Sequence, residues 1–195
     1  MDAEVLLFDG FDELDGVGSY EVLATAGTLG ADLSVRTVTL DPVDRVEASH
    51  GLRIEPDGVL GAPDLLVVPG GGWATGDSGV RREVESGRLP EAVLARHRDG
   101  TTVASVCTGA MVLAEAGLLD GRPATTHPVA FTDLEAVTER VDARVVDDGD
   151  VLTAGGVTSG IDLALWLVER EFGRDLADGV AGELVYERRG EVYRR

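Results

Sequence analysis

"VASVCTGAMVLAEAGLLDGRPATTH", residues 103–127, decides how the rest of the chain is read. An apolar run stops at Cys107, the one cysteine of the chain, and small residues then open an apolar helical pattern. A residue caught in a sharp strand-to-helix turn projects its side chain above the edge of a sheet. Ser105 and Gly109 flank Cys107 at minus two and plus two. The segment therefore approximates a G-x-S-x-G nucleophile elbow, with cysteine as the nucleophile and serine in place of the first glycine. A helix N-terminus behind the sulfur would favour the thiolate, which is the reactive form. The competing reading of a lone cysteine is a small buried hydrophobe; the elbow setting favours the nucleophile.

Working outward, apolar runs alternate with helical patterns. "AEVLLFD" (3–9) is continuous enough for a buried strand. Apolar spacing from Leu14 to Leu29 predicts a helix, and "ADLSVRTVTL" (31–40) alternates like a second strand. "PDLLVVPGGG" (63–72) carries a strand over 65–68 that stops at Gly70, Gly71 and Gly72. Residues 79–98 have helical spacing, 101–106 is a strand, and 108–119 a helix. "PATTH" (123–127) reads as a short strand, followed by a helix over 129–137. "ARVVDDGDVLTAGG" (143–156) reads as a hairpin turning at "DDGD". "TSGIDLALWLVEREFG" (158–173) is a strongly apolar helix, with Ser159 and Asp162 at capping-box spacing. This alternation predicts an α/β fold: a mainly parallel sheet flanked by helices on both faces. Ligands in such folds sit beyond the carboxyl ends of the strands, where the glycine cluster and Cys107 both fall.

The 195 residues suit a single domain spanning 1–195. Hydrophobic residues make up 44%, which is globular material. No stretch approaches the ~20 apolar residues of a membrane span. The N-terminus opens on acids where a secretory signal carries bases, and a lone cysteine forms no internal disulfide. A cytoplasmic protein is expected. Asp and Glu total 36 against 17 basic residues, every one of them arginine, for a net charge of −19. Such a surface repels nucleic acid and anionic membranes, so neither is expected as a partner. It also stays hydrated in concentrated salt, which points to a halophilic source.

Several groups are candidates to serve a reactive thiol. The N–H of Thr108 follows the nucleophile, and the "PGGG" turn offers backbone donors for developing negative charge. Of the three histidines, His50 and His97 fall in polar surface settings. His127 ends the "ATTH" run twenty residues after Cys107 and is a possible supporting group. Among the acids of "FDGFDELDGVGSYEVL" (8–23), Asp15 stands out beside Leu14, Gly16 and Gly18. A carboxyl buried there would have a raised pKa and could donate a proton.

Taken together, "LLVVPGGG", "ASVCTGAMVLAEAGLLDGRPATTH", "LTAGGVTSGIDLAL" and "DELDGVGSYEVL" resemble the ThiJ/PfpI superfamily over nearly the whole chain. The resemblance implies a flavodoxin-like, class I glutamine-amidotransferase-like sandwich. "SVCTGAMVLAEAGLL", "ATTH" and "LDGVGSYEVL" look most like its isonitrile hydratase branch, which adds water to an isocyanide to give an N-substituted formamide. The resemblance implies Cys107 as nucleophile, Asp15 as general acid/base, Thr108 beside them, and N–H groups of Gly71 and Thr108 around the anion, with Gly72 of the "PGGG" turn a further candidate donor. It further implies a small-molecule substrate, no cofactor, no metal and a homodimer. Peptidase members carry His after the nucleophile, where this chain has Thr108, so peptidase activity is not expected. Glyoxalase and deglycase members place Glu where this chain has Asp15. Both that chemistry and a non-enzymatic oxidation-sensing or chaperone role remain alternatives. The hydratase branch tends to read "LTGP" where this chain has "GVGS" (16–19). Regulators of the superfamily append a helix-turn-helix domain, and none is expected after Arg195.

Overall fold

The computed structural model describes residues 1–74 and 77–195. The chain opens with β1 (Asp2–Leu6), α1 (Glu13–Thr28) and β2 (Ser34–Thr39). A small antiparallel ribbon follows, β3 (Val46–Glu47) with β4 (Arg53–Ile54), then β5 (Gly58–Val59) and β6 (Leu65–Val68). Next come α2 (Gly79–Ser86), α3 (Arg88–Arg98), β7 (Thr102–Val106), a 3-10 turn (Cys107–Gly109) and α4 (Ala110–Glu115). β8 (Pro123–Ala124), α5 (Phe131–Glu135) and β9 (Glu139–Arg140) form a satellite, with β8 paired to β9. The chain closes with β10 (Val145–Asp147), β11 (Val151–Ala154), α6 (Ser159–Phe172), α7 (Arg174–Glu183) and β12 (Val192–Arg194).

Eight strands form one sheet in the order β12-β10-β11-β7-β6-β1-β2-β5. Its pairings are parallel except the β10–β11 hairpin. This is the mainly parallel α/β sheet that the alternation of patterns predicts. α1, α6 and α7 pack together on one face, and α2, α3 and α4 on the other. Strands covered on both faces need apolar side chains in both directions. β6 (LLVV) is accordingly buried at every residue, and β7 at all but its first. In parallel register β1, β6 and β7 bring their carboxyl ends to one edge.

Several elements depart from the sequence pattern. The helix expected over 79–98 is two helices, because Gly87 takes the left-handed conformation (φ 71°) that ends α2. The helix expected over 108–119 begins as a 3-10 turn and stops at Glu115, with Leu118 and Leu119 buried beyond it. The helix expected over 129–137 is a 3-10 turn (Pro128–Ala130) followed by α5. No capping box forms at 159–162. Thr158 is the N-cap, and the buried Asp162 instead accepts hydrogen bonds from Arg144, Tyr186 and the Arg189 N–H. α7, the short strands β3, β4, β5 and β9, and the edge strand β12 were not anticipated. The strands are too short or too polar to leave a period, whereas α7 does leave one, with Ala177, Val180 and Ala181 buried along one face.

Candidate active site

Cys107 leaves the end of β7 with φ 57°. A non-glycine residue there costs roughly 1–2 kcal/mol and persists only where its surroundings hold it. A cysteine that merely filled space would have no need of this conformation. Its N–H donates to the Gly155 carbonyl at 2.8 Å, and its own carbonyl accepts from Thr126 Oγ1 at 2.8 Å. The residue is 6% exposed, set into the sheet edge rather than proud of it.

Asp15 lies in the first turn of α1, which starts at the Asp12 cap, whose carboxylate accepts the Leu14 N–H. Asp15 is completely buried. Its Oδ2 accepts the Gly70 N–H at 2.9 Å, and Oδ1 has no hydrogen-bond partner among the described residues. An unpartnered carboxylate oxygen at full burial is costly unless it holds a proton or meets a ligand.

Gly70 is the hinge between the two groups. A Cβ on it would lie 2.7 Å from Asp15 Oδ2, 2.7 Å from the Thr108 nitrogen and 2.8 Å from Cys107 Cβ. Carboxyl, thiol and the Thr108 amide therefore converge on the face of one residue that has no side chain. Burial raises the Asp15 pKa from its ordinary value near 3.8 to about 8, with help from the Asp12 charge and against the Gly70 N–H and Cys107. Burial also pushes the Cys107 thiol up, as do the charges of Asp15 and Asp12, while the Thr108 N–H pulls it down. The thiolate stabilisation expected from a helix N-terminus thus reduces to a single amide. A 3-10 turn and a six-residue helix stand behind the sulfur, and burial outweighs them. Protonation of Asp15 removes the charge that opposes the thiolate, so the two groups titrate as a pair.

The other expected groups fall as follows. Thr108 is buried and its Oγ1 accepts the Gly71 N–H at 3.0 Å. The Gly71 amide is thereby engaged inside the protein. Gly72 backs onto Ser78 and Gly79, and its carbonyl accepts the Arg81 N–H. The amides that face the pair are those of Gly70 and Thr108. His127 is half-buried and caps the following turn, its Nδ1 accepting the Val129 N–H at 3.2 Å. Its neighbour Thr126, not His127, touches Cys107 through a hydrogen bond. His50 is exposed at the rim, where its Nδ1 meets Glu13 Oε2 at 2.7 Å. His97 lies away at Asp150, also at 2.7 Å. Gly155 and Thr126 went unassigned in the sequence, and Gly70 was a candidate donor only as part of the "PGGG" turn. The first glycine of "PGGG" and the second threonine of "ATTH" were the only signals.

A model of the DJ-1/PfpI family matches residues 1–170. The chain is 38% identical to an isonitrile hydratase of Pseudomonas putida, over 93% of this chain and 76% of that protein. It is 34% identical to the HTH-type transcriptional regulator GbdR of Pseudomonas aeruginosa, over 94% of this chain but only 50% of the regulator. The chain thus spans about half that protein's length. Among solved structures, Drosophila melanogaster DJ-1beta superposes with a TM-score of 0.82 at 26% identity, covering 95% of this chain and 98% of that one.

Proposed function

This chain belongs to the DJ-1/PfpI family, and from that premise we propose that it is a cysteine-dependent hydratase of small, uncharged electrophiles, with isocyanides as the leading substrate class. The observation that carries the reading is Cys107 at φ 57° at the strand end, held against a fully buried Asp15 across Gly70. The similarity to an isonitrile hydratase supports the choice of electrophile. The charges acting on the pair, those of Asp12 and Asp15, are negative, which suits a neutral substrate and disfavours an anionic one.

The working form of the pair holds one proton. The reactive tautomer carries it on Asp15 with the negative charge on sulfur, a minority beside the carboxylate–thiol arrangement that the burial of Cys107 favours. The thiolate attacks the terminal isocyanide carbon, forming the C–S bond. Asp15 delivers its proton to that carbon, leaving a thioimidate and a carboxylate. The carboxylate takes a proton from water as the hydroxyl adds to the carbon, and passes it to nitrogen. Collapse of this tetrahedral adduct breaks the C–S bond and releases the formamide. The hydroxyl proton returns to Asp15 and the charge to sulfur. The Thr108 N–H steadies the sulfur whenever it is anionic. To the same reading belong a homodimer, a cytoplasmic location and independence of metal or cofactor.

The test is to incubate the protein, in high salt, with an aryl isocyanide and separately with methylglyoxal. Formamide from the first, lost in Cys107→Ala and Asp15→Asn, is the expected result. Lactate from the second without formamide would move the protein to glyoxalase chemistry. Neither product, with reversible peroxide sensitivity of Cys107, would make it a sensor.

A further inference from the structure

Cys107 holds a conformation that its own side chain disfavours, and its backbone is restrained on both sides. On the amide side, the bond to the Gly155 carbonyl continues the β7–β11 pairing one residue past Val106. On the carbonyl side, the restraint comes from outside the sheet, as the Thr126 hydroxyl donates to the Cys107 oxygen at 2.8 Å in a buried setting. Thr126 is 1% exposed. The residue before it is tied to β11, the Thr125 N–H donating to Thr153 Oγ1 at 2.9 Å. The residue after it caps the next turn. The hydroxyl is thus fixed before it meets the carbonyl, which is what a support for a reactive group requires.

We propose that Thr126 is a positioning residue for the nucleophile: its hydroxyl locks the carbonyl side of Cys107 and keeps the elbow in its left-handed conformation, with the sulfur aimed at Asp15 and the Thr108 amide. The proposal rests on the reading of Cys107 as the nucleophile. It accounts for the role of the "ATTH" segment without calling on His127. Removing the hydroxyl takes this side-chain bond from the Cys107 carbonyl and frees the residue to relax. The sulfur then leaves its buried seat beside Asp15 and Asp12, the two charges that face it.

The experiment follows alkylation of Cys107 by iodoacetamide against pH in wild type, Thr126→Val and Thr126→Ser, each with and without Asp15→Asn. In Thr126→Val the midpoint falls toward that of an ordinary thiol by about one pH unit. The displacement that Asp15→Asn produces shrinks in that background, because the pair has been separated. Thr126→Ser keeps the hydroxyl and the wild-type profile. A buried threonine that merely satisfied a carbonyl would change stability and leave both readouts in place. The proposal is overturned by a folded Thr126→Val protein with the wild-type midpoint and the full Asp15→Asn displacement, or by a folded Thr126→Ser that behaves like the valine variant. Should Thr126→Val not fold, Thr126→Ala carries the same expectation and the same refutation. Alkylation needs no substrate, so a wild type that forms no formamide would defeat the hydratase reading and leave this measurement standing.

Discussion

Asp15 ties chemistry to stability. Its pKa is raised in the fold, from near 3.8 to about 8, chiefly by burial. The folded state therefore binds more protons than the unfolded state across that window. Its contribution is fully present below about pH 4 and is lost as pH rises through about 8. Tenfold in an ionisation constant corresponds to about 1.4 kcal/mol, which sets the cost of ionising Asp15 in place at about 6 kcal/mol at most. Asp15→Asn should therefore stabilise the protein at pH 9 and change little at pH 4, as read by urea unfolding at the two values. Equal effects at both would remove the buried, protonated carboxyl. Cys107 and Asp15 were legible in the sequence, because an elbow leaves a local pattern and Asp15 interrupts an apolar stretch. Gly70, Gly155 and Thr126 were not, because their hydrogen bonds join segments 55, 48 and 19 residues apart. Thr108 follows the thiol in sequence, and its hydroxyl serves Gly71.

At the scale of elements, the site is a meeting of strand ends. β6 stops at a residue that must lack a side chain, since any Cβ on Gly70 falls within 2.8 Å of both reactive groups and the Thr108 amide. Gly70→Ala should cost about 1–3 kcal/mol by overpacking and should abolish turnover by parting thiol from carboxyl. A folded alanine variant with wild-type turnover would contradict this placement. The long apolar runs and the 143–156 hairpin were readable because burial on both faces, or a glycine turn between β-rich runs, writes itself into local sequence. The break at Gly87 and the early end of α4 were harder to see. Helical spacing survives a one-residue interruption, and Leu118 and Leu119 stay apolar because the core, not the helix, buries them.

For the whole molecule, charge is the dominant trait. Thirty-six acids face 17 arginines, and the net charge is −19. Self-repulsion of that size opposes the compact state, and salt relieves it as the Debye length falls from about 10 Å at 0.1 M to about 3 Å at 1 M. Screening worth about 2 kcal/mol would raise Tm by about 4–8 °C in a chain of this size. Thermal melts between 0.1 and 2 M KCl should show that rise, and a flat or falling Tm would count against the halophilic proposal. The overall topology was legible because parallel α/β folds repeat one motif. The edge strands were not, since β5 and β12 are two and three residues long and gain their order from neighbours already in place.

One proton shared between Asp15 and Cys107 governs the proposed chemistry, and the pH dependence of formamide formation from an aryl isocyanide reads it out. The predicted rate climbs with pH to a midpoint near 8, as the pair passes from two protons to one, and Asp15→Asn is inactive at every pH. A rate that ignores pH through this range, or an Asp15→Asn protein that still makes formamide, would contradict it.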